Sequence, residues 1–256
     1  MTAEKDIAVC LGSRKYSETS QIVSFFGRRH GKIQAIAKGS RRQRGRFGGG
    51  IEVLATGEIL FIPPRNENTL ATLTDFDLQN SFLHLRENLL ALHTAQYMAY
   101  LLNEFTEVYD PHETLFDAFI NTLSELKPLG PMVHLLVRFE NILLKEIGLC
   151  PLWRKCSSCA REMSPNEPLY FSSSLGGMLC RDCEPTVIEK RRLSPPAWHI
   201  LRQPENKTHP NTAYMAAHTL LGYHFTELAG KRPAILNFLN HLLKETYQKE
   251  TEIADS

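Results

Sequence analysis

Four cysteines constrain this chain more than any other residues. In "CSSCAREMSPNEPLYFSSSLGGMLCRDC", Cys156 and Cys159 form one C-x2-C pair and Cys180 and Cys183 form a second, with twenty residues between the pairs. Each pair can wrap a turn that aims two thiolates at one cation, and two such turns close a tetrahedral S4 site. The spacing marks Cys156, Cys159, Cys180 and Cys183 as ligands of a single Zn2+. Four thiolates fill the coordination shell and leave no position for a reacting water, so the metal is structural. Leu169-Tyr170-Phe171 and the Gly176-Gly177 turn read as a small hairpin that brings the pairs together. Cys150 is an alternative ligand, although two pairs already complete the shell. Cys10 lies in an apolar run and reads as a small core residue. Six cysteines in 256 residues are too few for a disulfide scaffold and fit reduced thiols in a cytoplasm.

The hydrophobic period divides the rest of the chain. Up to about residue 78 it is β-like: Asp6–Leu11, Gln21–Phe26, Lys32–Lys38, Ile51–Ile62 and Leu70–Leu78 read as five strands. Gly57 is placed for a bulge, and Pro63-Pro64 stops the fourth strand. In the third strand Ile33, Ala35 and Ala37 face one way, and Lys32, Gln34 and Lys38 face the other. Five short strands with one long basic loop suit an OB-fold β-barrel. From Gln79 the period becomes helical, with a stripe of Phe82, Leu85, Leu89, Leu92, Met98, Leu102 and Phe105. Asp110-Pro111-His112-Glu113 reads as a capped helix start, and Asp75 and Asp77 read as caps for the helix after the last strand. Further helices are expected over 131–147, 196–201, 212–228 and 233–247. The expected organisation is a multidomain mixed β and α chain. It has an N-terminal OB-fold domain over 1–78, an α-helical domain over 79–148 and 191–256, and an inserted four-cysteine zinc-finger module over 149–190. No run of eighteen apolar residues exists to span a membrane.

The charge distribution is uneven. The chain carries 29 basic and 28 acidic residues, yet "RRHGKIQAIAKGSRRQRGR" (28–46) holds eight Lys or Arg and no acid. Arg28, Arg29, Lys32, Lys38, Arg41, Arg42, Arg44 and Arg46 are the expected DNA-binding residues, because guanidinium forks on a glycine-bearing loop suit irregular phosphate positions. Tyr16 and Phe47 are the expected base-stacking side chains. The plainer reading, a solvated charged loop, is weakened by basic residues on the adjoining strand. Catalytic motifs are missing. Gly27–Ile33 falls one residue short of a phosphate loop and ends in Ile, and no H-E-x-x-H or G-x-S-x-G occurs. The chain therefore reads as a binding protein and not an enzyme.

"YSETS" (16–20), "FGRRHGKIQAIAKGSRRQRGRFGGGIEV", "LLKEIGLCPLWRKCSSC", "LYFSSSLGGMLC" and "LAGKRPAILNFL" occur in that order, and together they closely resemble RecO, a bacterial DNA repair and recombination mediator family. The resemblance implies binding of ssDNA and dsDNA, annealing of complementary strands, and loading of RecA onto SSB-coated ssDNA, with RecR as a partner. It places the DNA contacts on Lys38, Arg41, Arg42, Arg44 and Arg46, to which charge geometry adds Arg28, Arg29 and Lys32. It implies a cytoplasmic, nucleoid-associated protein. The SSB C-terminal tail is expected in an apolar groove with a basic rim. "IEVLATGE" (51–58) departs from the family's Pro-containing version, which bears on local strand geometry. Two other readings use the same features: a zinc-ribbon RNA-binding factor, and an interaction scaffold whose basic loop docks an acidic tail.

Overall fold

The computed structural model describes residues 2–42, 47, 49–66, 69–128, 130–206 and 208–254, with side chains described as far as residue 247. It forms two compact units, Met1–Pro128 and Leu129–Ser256.

In the first unit five strands close a barrel: β1 (Glu4–Lys15), β2 (Gln21–Gly27), β3 (Gly31–Ala37), β4 (Thr56–Ile62) and β5 (Ala71–Asn80). Their order is β1-β2-β3-β5-β4, and β4 returns to pair with β1. All pairings are antiparallel except β3 with β5, the arrangement of an OB barrel. Inward parity supplies the core. Ala8 and Cys10, Val23 and Phe25, Ile33, Ala35 and Ala37, and Ile59 and Phe61 are all buried. Cys10 is the core residue expected, and burial pushes its thiol up to about 12. Gly57 sits at a bulge where the register shifts between Thr56 and Gly57. A Cβ there would lie 2.0 Å from the Asp77 carbonyl oxygen, so only glycine fits.

Three local expectations are corrected. The fourth strand begins at Thr56 and not at Ile51, because Leu54 adopts a left-handed conformation (φ 73°) while its N–H bonds the Cys10 carbonyl at 2.8 Å. Asp75 and Asp77 lie within β5 and cap no helix. β5 also takes Gln79 and Asn80, so the helical region starts later, with a single 3-10 turn at Leu83–Glu87.

Helix α1 (Leu89–Phe105) follows, with Asn88 capping it through its side chain to the Ala91 N–H. Its buried seam includes Leu90, Ala91, Thr94, Ala95, Met98, Leu101 and Leu102; of the expected stripe, Phe82, Leu85, Met98 and Leu102 are buried, Leu92 and Phe105 are half-buried, and Leu89 is exposed. Helix α2 (Glu113–Glu125) starts at His112 with no side-chain cap, so the expected Asp110 capping box does not form. Asp110 instead pairs with His112 Nε2 at 3.1 Å.

The second unit contains α3 (Met132–Glu146), α4 (Pro195–Arg202), α5 (Asn211–Ala229) and α6 (Ala234–Ala254). Between α3 and α4 lies a four-stranded sheet of β6 (Leu152–Cys156), β7 (Leu169–Ser172), β8 (Gly177–Leu179) and β9 (Arg191–Leu193), in the order β6-β8-β7-β9. The expected hairpin is the antiparallel pair β7 and β8, turning at Gly176 with φ 64°. Among the described residues no helix is long and apolar enough to cross a membrane.

Candidate nucleic-acid interface and metal centre

The basic segment does not form one patch. β3 runs from Gly31 to Ala37, at about 3.3 Å per residue, and carries Arg28, Arg29 and Lys32 at one end and Lys38, Arg41 and Arg42 at the other. Arg44 and Arg46 lie outside the described residues.

At the first end the cations are tied to the protein. Arg28 donates through Nε and Nη2 to the two Asp117 carboxylate oxygens at 2.9 and 3.0 Å, and Nη1 lies 2.9 Å from Glu113. The hydrogen bond from Arg28 lowers the Asp117 pKa, and the same bond raises that of Arg28. Lys32 is buried, with Nζ donating to the Asn103 carbonyl oxygen at 2.9 Å and to that of Thr106. These carbonyls belong to the last turn of α1 and its cap, so the ammonium satisfies acceptors that the helix end leaves open. Burial lowers the Lys32 pKa against the attraction of Glu107 and Glu104. The parity of Lys32 points it out of the barrel, as read from sequence, but α1 covers that end. Arg29 donates to the Lys5 carbonyl oxygen, and its own N–H lies 3.0 Å from the Asp6 carboxylate.

Asp6, which the sequence reading passed over, organises this turn. Its side chain is 1% exposed and also accepts from the His30 N–H at 2.9 Å, while His30 Nδ1 lies 2.8 Å away. A buried carboxylate needs such donors. The parity of Asp6 with Ala8 and Cys10 was the available signal.

At the other end Lys38, Arg41 and Arg42 are exposed and form no ion pair with a described acidic residue. They are nevertheless held in place by their backbone. Arg41 N–H bonds the Thr19 carbonyl at 3.0 Å, Arg42 N–H bonds that of Gly39 at 3.1 Å, and Gly39 N–H reaches Ser20 Oγ at 3.3 Å. Gln21, a second residue missed from sequence, fastens both ends of the loop. Its Oε1 accepts from Ser40 Oγ and from the Ile51 N–H, each at 2.9 Å, and its Nε2 donates to the Ile51 carbonyl at 3.1 Å. Like Asp6 it holds an inward parity position, shared with Val23 and Phe25. Of the two expected stacking residues, Phe47 packs against the barrel core, whereas Tyr16 is 61% exposed.

In the second unit Cys156 ends β6 and Cys180 follows β8, and the parallel pairing of those strands brings the two cysteine turns together. The turns close through Ala160 N–H to the Cys156 carbonyl at 2.9 Å and Cys183 N–H to the Cys180 carbonyl at 3.1 Å. The four Sγ atoms all lie within 4.8 Å of one another, and those of Cys159 and Cys180 are 3.7 Å apart. Tetrahedral zinc at about 2.3 Å from each sulfur requires S···S separations of about 3.8 Å, so the cluster could hold a metal ion of that kind. Burial opposes ionisation of Cys156, yet hydrogen bonds from the Cys180, Cys159 and Ser158 backbones bring its pKa down to about 6. Cys150 stands outside the cluster, so it does not replace any of these four.

Comparison with known proteins draws the barrel and the cysteine-bearing unit into one family. Residues 1–82 match the family described as "Recombination protein O N terminal", and residues 86–233 match "Recombination protein O C terminal". The chain is similar to "DNA repair protein RecO" of Rhodopirellula baltica, at 30% identity over 77% of this chain and 73% of that protein. It is similar to those of Moorella thermoacetica, at 32% over 68% and 64%, and Pelotomaculum thermopropionicum, at 32% over 72% and 69%. A closed five-stranded barrel, a helical part, a four-cysteine cluster and two matching family regions in the same order make this chain a member of the RecO family of DNA repair proteins.

Proposed function

We propose that this chain binds ssDNA and dsDNA through Lys38, Arg41, Arg42, Arg44 and Arg46, anneals complementary strands, and helps load RecA onto SSB-coated ssDNA together with RecR. The observation that carries the reading is the turn at the exit of β3, where cations unpaired with any described acid are mounted on a hydrogen-bonded frame of an OB barrel. Arg28, Arg29 and Lys32 hold the fold together and add only their long-range field. Annealing needs no reacting side chain: neutralising phosphates on two strands lowers their repulsion, and base pairing supplies the rest.

The four cysteines hold one structural Zn2+ that fixes the β6–β9 sheet. An apolar cavity of about 650 Å3 in the second unit supports docking of the SSB tail. Leu169, Leu193, Pro195, Leu220 and Tyr223 line it together with Arg191 and Arg192, the combination an acidic peptide with an apolar end requires. The Arg191 guanidinium lies 4.6 Å above the Tyr223 ring.

The experiment is fluorescence annealing of SSB-coated complementary strands with and without the protein. The reading requires faster annealing with it. No acceleration, or preference for RNA over DNA in competition, removes it.

A further inference from the structure

Beside the cationic turn, the outer face of β1, β2 and β3 carries a feature that phosphate binding does not use. Cross-strand register aligns Arg14 with Ile22 and Ile22 with Ile36, so one charged and two half-buried apolar side chains cross the three strands in a row. A cavity lies on each side of this row. One, of about 320 Å3, includes Arg14, Ile22 and Gln34. The other, of about 290 Å3, is bounded by Tyr16, Ile36, Lys38 and Arg42. Tyr16 opens the β1–β2 turn, which is closed by Tyr16 N–H and Ser17 N–H to the Ser20 carbonyl at 3.0 and 3.2 Å. The same turn is joined to the cationic turn through Thr19 and Ser20. Its acid, Glu18, is paired with Lys15 at 2.5 Å. A phenol ring 61% exposed on a fixed turn, lining one cavity with Lys38, Arg42 and the apolar Ile36, is arranged to receive a planar ring next to a phosphate.

We propose that this face is a single-strand-selective site, in which an unpaired nucleobase stacks on Tyr16 over the Ile36 floor and the adjoining phosphates meet Arg42 and Lys38. This deepens the DNA-binding reading and rests on it. In a duplex each base face is covered by its neighbours, so Tyr16 has nothing to stack on, whereas phosphates remain available to the cations. Selectivity for unpaired strands therefore resides in Tyr16. A further consequence follows for annealing: pairing withdraws the base from Tyr16, and the duplex product is held by phosphate contacts alone.

The test is anisotropy with three fluorescein-labelled probes of equal length: an oligo-dT strand, the same strand with an abasic run, and a blunt duplex. Tyr16→Ala should weaken oligo-dT binding about 5- to 150-fold, the range of one base–aromatic stack. It should leave duplex and abasic binding within about twofold of wild type, and Tyr16→Trp should restore the oligo-dT affinity. Equal losses on strand and duplex, or a loss that persists on the abasic strand, overturn the stacking site. Unchanged oligo-dT binding by Tyr16→Ala, with wild type binding all three probes, overturns this inference while leaving the phosphate site intact. Failure of wild type to bind any probe overturns the DNA-binding reading itself.

Discussion

The division of the basic segment into two ends predicts a specific salt response. Five cations, Lys38, Arg41, Arg42, Arg44 and Arg46, are assigned to phosphates. On single strands each neutralised phosphate contributes about −0.7 to the slope of log K against log salt, so five give about −3.5. Raising salt from about 50 to 200 mM should then weaken wild-type binding about 130-fold. The variant Lys38→Ala/Arg41→Ala/Arg42→Ala keeps two of the five, so its slope should be about −1.4 and its loss over the same range about 7-fold. The control is Lys32→Met, which removes a charge only six residues from Lys38 but one committed to the Asn103 and Thr106 carbonyls. It should leave the slope at about −3.5 and destabilise the first unit by about 1–3 kcal/mol, the cost of buried acceptors losing their donor. Anisotropy titrations at four salt concentrations, with urea melts of each variant, give both quantities. A triple variant that keeps the wild-type slope refutes the assignment of the exit turn. A Lys32→Met variant that flattens the slope refutes the division of the segment into a binding end and a structural end.

Three further outcomes are expected. Metal analysis of protein purified without added zinc should find about one zinc per chain, and Cys180→Ser should abolish it and expose the β6–β9 sheet to proteolysis. Gln21→Ala removes no charge but frees both ends of the basic loop; it should lower DNA affinity several-fold at unchanged salt slope and cost about 2 kcal/mol in urea melts, since three buried hydrogen bonds are lost. Glu189 is opposed by burial but accepts from Tyr223, from Ser172, and from the Ser174 backbone and side chain, which together hold its pKa at about 2 against 4.5. Its folded pKa is depressed, so its contribution is complete above about pH 4.5 and is lost as pH falls toward 2. Glu189→Gln should therefore destabilise the second unit near neutrality and shrink its acid-induced loss of stability between pH 5 and pH 3, read by chemical denaturation at each pH.

The residues that were legible in the sequence are those whose neighbours along the chain carry the information. The S4 cluster follows from two C-x2-C turns, and the barrel follows from strand parity, because both are local patterns with one dominant closure. What parity could not supply was what lies outside the barrel. Lys32 and Lys38 share an outward parity, yet α1 covers one and water surrounds the other. Arg28 reads as a free cation until α2 brings Asp117 to it from 89 positions away. The strand start at Thr56 is misplaced from sequence for a related reason. "IEVLA" has β-like composition, but the chain must turn at Leu54 to bond Cys10. Asp6 and Gln21 were visible as polar residues at inward positions, and the rule that buried polar groups must find partners would have marked them as organising residues.

The two ends of the segment also differ in how they should respond to ionic strength. Asp6 is 1% exposed and meets Arg29, His30 and three backbone N–H groups at close range, and Lys32 is buried against carbonyls. Interactions at hydrogen-bond distance in a partly desolvated site are screened far less than those between exposed charges and phosphates, for which the Debye length falls from about 10 Å at 0.1 M to about 3 Å at 1 M. DNA release should therefore precede any loosening of the barrel as salt rises. Between about 0.1 and 1 M salt, affinity for oligo-dT should fall by about 3.5 orders of magnitude, following the five-phosphate slope. The urea midpoint of the first unit should move little over the same range. A midpoint that falls in step with affinity would mean that the exit-turn cations and the fold-holding cations form one electrostatic system, and the separation argued from β3 would not stand. A constant midpoint would mean that the barrel carries an adjustable charge at one end because its other end has already neutralised its own.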